Sequence, residues 1–206
     1  SWPQFDREPL PKDILFVLDT SGSMSGPKID QARASLRHAL GRLNPEDRVG
    51  LITFSDVIRA YSTELIQVSE LDRADIESYI SNIDAAGGTN IHSAMMRGLD
   101  LFSESASDGR PQLVVFLTDG LPTAGETRVQ KILEDVLGQS ENMNSRIFTF
   151  GVGYDVNTLL LDTLSHENGG FTTYVEPGEN IEDSIASFYD RVGTPLIWDL
   201  QSRFTG

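Results

Sequence analysis

Five oxygen-bearing side chains of this sequence, two carboxylates and three hydroxyls, could together hold a metal ion. They are Asp19, Ser21, Ser23, Thr89 and Asp119. Hard cations prefer oxygen ligands, and a set with so few carboxylates suits an octahedral ion that keeps some of its water, such as Mg²⁺. We therefore expect a divalent cation, Mg²⁺ in the first place, with Mn²⁺ or Ca²⁺ as the alternatives.

Strands and helices must bring these side chains together. The continuous apolar run 14–18 is typical of a strand buried on both faces of a parallel sheet, and residues 27–43 have the apolar spacing of a helix. The loop between them lies beyond the carboxyl end of the strand, where open α/β sheets bind ligands. Thr89 precedes another helix, and Asp119 directly follows the apolar run 113–117. A single Ser- and Gly-rich loop is explained by capping and turns, but three such loops favour a site.

The alternation of strands and helices continues along the chain and predicts a parallel sheet with helices on both faces. Further strands are expected at 49–54, 57–61, 146–152 and 171–175, the second of these being a short antiparallel edge strand. Further helices are expected from Asp72 to a stop at Ala86-Gly87-Gly88, and at 91–102, 129–136, 159–164 and 181–192.

Two enzymatic interpretations of the first loop fail on particular residues. A phosphate-binding P-loop needs Gly-Lys followed by Ser or Thr, and Pro27 interrupts that order and lacks a cradling N–H. A serine hydrolase needs serine midway between Gly22 and Gly26, where the sequence has Met24. Of the histidines only His92 lies near the predicted site, and we expect it to be a bystander on a helix surface. The sequence predicts no enzyme.

Composition excludes several other classes of function. The chain has 206 residues, 16 basic and 31 acidic, and its formal charge of −15 repels nucleic acid and anionic lipid. No apolar run approaches the roughly 18 to 20 residues that span a bilayer, so membrane insertion is not expected. Without cysteine, neither disulfides nor Cys-based zinc sites can form.

Three motifs resemble the von Willebrand factor A domain with its metal-ion-dependent adhesion site: Asp19-x-Ser21-x-Ser23, Gly87-Gly88-Thr89-Asn90 and Thr118-Asp119-Gly120. Residues 117–127, 150–156 and 168–170 further resemble this domain in the inter-alpha-trypsin inhibitor heavy chains, and the resemblance covers Lys12 to Val192. It implies a Rossmann-like, doubly wound sheet of six strands in the order 3-2-1-4-5-6, with strand 3 antiparallel. It also implies that Ser21, Ser23 and Thr89 touch the metal through their hydroxyls, while Asp19 and Asp119 act directly or through water. The open metal position would accept a Glu or Asp carboxylate of a partner protein.

These features lead to one hypothesis for the whole chain. Residues 1–11 are expected to be a linker, 12–193 the domain, and 194–206 an extension, with a strand at 196–200, that leads to a following domain of a longer protein. We expect an adhesion-type protein-binding domain that is extracellular, on the cell surface or periplasmic. The alternative is a cytoplasmic scaffold module of an ATPase-linked assembly, in which the metal is structural.

Overall fold

A central, mostly parallel sheet organises the computed structural model, which describes residues 10–105, 109–141, 143 and 145–192. Its strands are β1 (Asp13–Asp19), β2 (Arg48–Phe54), β3 (Ile58–Ala60), β4 (Ile66–Gln67), β5 (Gln112–Thr118), β6 (Ser145–Val152) and β7 (Thr172–Val175). They lie in the order β3-β2-β1-β5-β6-β7, and β4 pairs with β2 beside this path. Among these described strands, only β3 and β4 are antiparallel to their neighbour β2. The predicted fold class, strand order and antiparallel third strand are therefore confirmed.

The structure adds one strand to the six that were predicted. The two-residue β4 pairs with Arg48 and Val49 at the start of β2. A strand this short carries no alternating pattern, since at least four residues are needed to show one. Its pairing is set by the tertiary fold and not by a local signal.

In the described part of the chain six α-helices cover the sheet: α1 (Pro27–Gly41), α2 (Arg73–Ser81), α3 (Ile91–Glu104), α4 (Val129–Ser140), α5 (Thr158–Glu167) and α6 (Ile181–Val192). Helix α2 ends earlier than the stop predicted at Ala86-Gly87-Gly88. Asn82 leaves the helical conformation, with φ −94° and ψ 6°. Arg33 of α1 then donates from Nε to the Ile83 carbonyl at 2.9 Å, which holds the following segment against α1.

Alternate residues of β1 face two separate hydrophobic layers. Ile14, Phe16 and Leu18 pack into a layer with residues of α1, α2 and α6. Leu15 and Val17 pack into a second layer with residues of α3, α4 and α5. Burial on both faces explains why the central strands appear in the sequence as continuous apolar runs.

Two predicted segments fall on residues that the structure does not describe. The linker at 1–11 is described only from residue 10, and the extension at 194–206, with its strand, lies outside the described residues. The predicted domain boundaries therefore stay predictions. Within the described part of the chain, no helix has both the length and the apolar character needed to cross a membrane.

Candidate metal centre

The candidate centre begins with Asp19, the last residue of β1. Its carboxylate is fully buried and accepts hydrogen bonds from the Ser21 N–H at 2.7 Å and from the Thr118 hydroxyl at 2.5 Å. The chain then makes a 3₁₀ turn at Gly22–Met24, and the Met24 side chain is buried in the hydrophobic layer beside α1. The buried Met24 side chain thus anchors the loop to the hydrophobic core.

A chain of side-chain contacts links this loop to the end of β5. The Ser21 and Ser23 hydroxyl oxygens lie 3.0 Å apart, and the Ser23 hydroxyl donates to Asp119 Oδ1 at 2.7 Å. Asp119 directly follows β5 and is 2% exposed. Because β1 and β5 are parallel neighbours, their carboxyl ends meet at one edge of the sheet, as the sequence predicts.

Thr89 reaches the same place from the loop before α3. It is 4% exposed. A Cβ atom built on Gly120 would lie 3.7 Å from Thr89 Oγ1 and 3.9 Å from Ser23 Oγ, so these two hydroxyls flank one glycine. The structure thus brings all five predicted side chains together at the carboxyl edge of the sheet. Their binding of a metal stays a prediction.

Burial dominates the electrostatics of Asp19. Removal from solvent raises the pKa of its carboxyl from 3.8 to about 6, although the hydrogen bonds from Thr118 and Ser21 act in the opposite direction. The charge of Asp119 raises this pKa a little further. A cation close to this buried carboxylate would stabilise its charged form.

The donor set fits a hard divalent cation by its chemistry. All five side chains offer oxygen, and only two of them carry charge. Among the described residues, no three His, Cys, Asp or Glu side chains are grouped in a way that could hold a metal ion. A site here would therefore depend on the neutral hydroxyls of Ser21, Ser23 and Thr89, with the carboxylates of Asp19 and Asp119 supplying the negative charge.

Lys28 contacts the centre, although its role could not be inferred from the sequence. It lies in the first turn of α1, and its Nζ is 2.5 Å from Asp119 Oδ2. The sequence likewise gives no sign of the contact between Thr118 and Asp19. The available signal was position, since Lys28 follows the first loop and Thr118 belongs to the motif Thr118-Asp119-Gly120.

The loop after Asp119 clamps the backbone of Thr89. The Thr89 N–H donates to Thr123 Oγ1 at 2.9 Å, and the Thr89 carbonyl accepts from the N–H groups of Thr123 and Ala124 at 3.0 and 3.2 Å. Gly125, with φ +65°, lies against Asn90, where a Cβ would come within 2.4 Å of Asn90 Oδ1. Two of the three loops are therefore held together independently of any ligand.

His92 does not belong to this group of side chains. Its Nε2 lies 3.0 Å from Asp135 Oδ2 of α4, and the other oxygen of Asp135 accepts from Lys131 Nζ at 2.5 Å. The histidine thus takes part in a bridge between α3 and α4.

Several exposed apolar side chains follow the strand ends at the edge of the sheet that carries the candidate centre. Among the described residues six large hydrophobic side chains are exposed, and four of them follow the carboxyl ends of β2, β5 and β6: Val57, Leu121, Tyr154 and Leu159.

The sequence has clear relatives. Residues 13–187 match the family model of the von Willebrand factor type A domain. The chain is 33% identical over 202 residues to the inter-alpha-trypsin inhibitor heavy chain H2 of Mus musculus, covering 96% of this chain and 21% of that protein. It is 35% identical over 193 residues to heavy chain H4 of Homo sapiens, covering 91% and 21% respectively. The chain thus spans about a fifth of the length of these relatives.

A solved structure shares the fold. A von Willebrand factor type A protein from Catenulispora acidiphila superposes with a TM-score of 0.76 at 18% sequence identity, covering 86% of this chain and 42% of that one. The sheet and the surrounding helices are therefore arranged as in that protein.

Proposed function

The chain belongs to the von Willebrand factor type A domain family, and we propose that it is a non-enzymatic domain that binds a partner protein through a divalent cation. Domains of this family commonly serve as metal-dependent protein-interaction modules. In the proposal the cation is Mg²⁺, held by the hydroxyls of Ser21, Ser23 and Thr89 and, directly or through water, by Asp19 and Asp119. An open position on the ion accepts a Glu or Asp carboxylate of the partner.

One observation above all supports the proposal, namely the meeting of three separate loops at one edge of the sheet. The contacts run from the Ser21 hydroxyl to that of Ser23 at 3.0 Å and on to Asp119 Oδ1 at 2.7 Å. Thr89 flanks the same position beside Gly120. Capping and turn formation explain each loop alone, but they give no reason for oxygen groups of all three loops to converge.

The donor chemistry also suits the capture of a carboxylate. Neutral hydroxyl ligands leave a divalent ion with much of its positive charge, which then attracts an anionic group. The exposed apolar side chains at this edge, among them Leu121 and Tyr154, suit a partner with the extended surface of a protein.

Thermal unfolding tests whether the five side chains bind metal. Millimolar Mg²⁺ or Mn²⁺ should raise the melting temperature above that in EDTA, because a ligand at 100 times its Kd stabilises the folded state by about 2.7 kcal/mol. Ser23→Ala should reduce this rise. Ser25→Ala is the matched control, since its exposed hydroxyl is on the same loop but donates to the Gly22 carbonyl. An equal rise in both variants would contradict the assignment of Ser23.

Peptide binding separates the proposed adhesion site from a structural metal. A Glu-containing peptide should bind in Mg²⁺, lose its binding in EDTA, and bind far more weakly when its Glu is changed to Gln, since a neutral amide is a poorer ligand for Mg²⁺. A domain that metal stabilises but that binds both peptides equally would instead fit the intracellular scaffold alternative.

The similarity to the inter-alpha-trypsin inhibitor heavy chains supports two further parts of the proposal. The domain at 12–193 would be one part of a longer multidomain protein, because the chain covers about a fifth of those relatives. We also propose that it is displayed outside the cytoplasm. Limited proteolysis of the full-length protein should release a fragment with these bounds, and cell fractionation checks the location.

A further inference from the structure

We propose that Lys28 competes with the divalent cation for Asp119, so that this lysine sets how tightly the domain binds metal. The inference rests on the proposed function, since it concerns the same five side chains. It adds a sixth residue, which is not a metal ligand and which weakens the binding of metal by the other five.

The contacts of Asp119 provide the first step. Its two oxygens have different partners, because Oδ1 accepts from the Ser23 hydroxyl at 2.7 Å and Oδ2 lies 2.5 Å from Lys28 Nζ. The Asp119 side chain is 0% exposed, whereas that of Lys28 is 39% exposed. A partly exposed ammonium therefore contacts one oxygen of a carboxylate that is otherwise buried.

Charge balance provides the second step. Asp19 and Asp119 lie close enough for the charge of one to affect the other, and both are buried. Like charges in such a place repel, and a positive charge nearby reduces the repulsion. Lys28 supplies one positive charge without metal, whereas a divalent ion supplies two. Either cation can neutralise Asp119, and each therefore opposes the binding of the other.

The side chain of Lys28 can leave without a change in the fold. It is a flexible chain of four methylene groups with a strongly hydrated ammonium, and it is already partly in solvent. Displacement would thus cost the ion pair and little else. The metal-free domain keeps a neutralised Asp119, while metal binding is weakened by the contact that it must break.

Calorimetric titration with MnCl2 tests this competition in the 206-residue protein. Lys28→Met keeps the length of the side chain and removes its charge, so the Kd for Mn²⁺ should fall by roughly two- to fivefold, the scale of a partly exposed ion pair. Lys28→Arg keeps the charge and should stay closer to the wild type. Lys12→Met is the matched control, because Lys12 forms a similar ion pair with the buried Asp47, at 2.8 Å, at the amino end of the sheet. It changes the net charge equally and should leave the Kd unchanged.

Melting in EDTA supplies an independent readout. Lys28→Met should lower the melting temperature without metal and increase the rise caused by Mn²⁺. The reason is that the ion pair between Lys28 and Asp119 stabilises only the metal-free domain, so its removal destabilises that state alone. Unchanged or weaker Mn²⁺ binding by Lys28→Met, with normal binding by the wild type, would overturn the inference and leave the proposed function intact. Binding by the variant alone would support the inference in its strongest form. Failure of every variant to bind Mn²⁺ would contradict both.

Discussion

Asp19 makes the stability of the metal-free domain depend on pH. Its pKa is about 6 in the folded protein and 3.8 ordinarily, so between these values the folded state binds more protons than the unfolded state. Stability must therefore fall as the pH rises from about 4 to 6. Above pH 6 the folded domain bears the full cost of burying the charged carboxylate. At 1.36 kcal/mol for each pKa unit, this penalty is on the order of 3 kcal/mol.

Asp19→Asn should consequently stabilise the domain in EDTA. We expect the melting temperature at pH 7.5 to rise by about 6 to 12 °C, and the gain to disappear near pH 4. The Thr118 hydroxyl, which donates to Asp19 Oδ2, can turn and accept from the new amide. Asp84→Asn controls for the change of charge, since the Asp84 side chain is 89% exposed. A loss of stability at pH 7.5 would contradict the role given to burial.

Thr123 should affect the site through the backbone of Thr89. Thr123→Val keeps the shape of the side chain but removes the oxygen that accepts from the Thr89 N–H. Since Thr123 is exposed, water can replace this contact, and the loss of stability should be about 1 kcal/mol or less. The metal-induced rise in melting temperature should shrink, because Thr89 is no longer held in place. Thr127→Val, at an exposed position on the same loop, should leave the rise unchanged.

Residue types identify the predicted metal ligands but not the side chains that act on them. Asp19, Ser21 and Ser23 have an unusual spacing and oxygen chemistry that can be seen in the sequence. Lys28 contacts Asp119 across 91 residues, and Thr123 contacts Thr89 across 34. A lysine at the start of a helix and a threonine in a loop are both common, so neither residue indicates a special role. Their contacts depend on the folded arrangement of loops, which no local pattern contains.

Secondary-structure elements were predictable wherever burial imposed a pattern on them. The central strands β1, β2 and β5 are apolar on both faces, and α3 has an apolar stripe from Ile91 to Phe102. Prediction failed where tertiary contacts decide. The pairing of β4 is one example, and the end of α2 is another, because the buried Ile83 continues the apolar spacing after the helix has ended.

In the turn before β7, position 170 lies so close to β6 that only glycine should fit there. A Cβ on Gly170 would lie 1.9 Å from the Ile147 carbonyl oxygen, which belongs to the backbone of β6 and cannot rotate away. Gly170→Ala should therefore lower the free energy of unfolding by about 2 to 3 kcal/mol, measured by urea denaturation. Gly138→Ala is the contrasting case, because nothing lies within 4 Å of a Cβ there and α4 should gain about 0.5 to 1 kcal/mol. Equal effects would argue against the packing of this turn.

The net charge of the whole chain should select among acidic partners. A metal would attract one carboxylate at short range, while the charge of −15 repels acidic chains at longer range. A peptide with one Glu and flanking Lys or Arg should therefore bind better in Mg²⁺ than a poly-acidic peptide of equal length. The difference should shrink between about 0.1 and 1 M salt, as the Debye length falls from about 10 to 3 Å. Fluorescence anisotropy would measure it, and a salt-independent difference would rule out long-range repulsion as its cause.

The central position of β1 has a mechanical consequence. Asp19 ends this strand at the candidate centre, and Asp13 begins it at the opposite edge of the sheet. A pulling force that enters at a bound partner and leaves through the residues before Asp13 would run along the strand. A force that enters through Asp19 is carried by the covalent backbone of β1, whereas a force that enters through Asp119 at the end of β5 must cross to β1 by shearing the parallel ladder between these strands. Unlike the peeling of an edge strand, this loads many hydrogen bonds simultaneously, and the domain would resist tension most strongly along the line in which a tethered partner pulls.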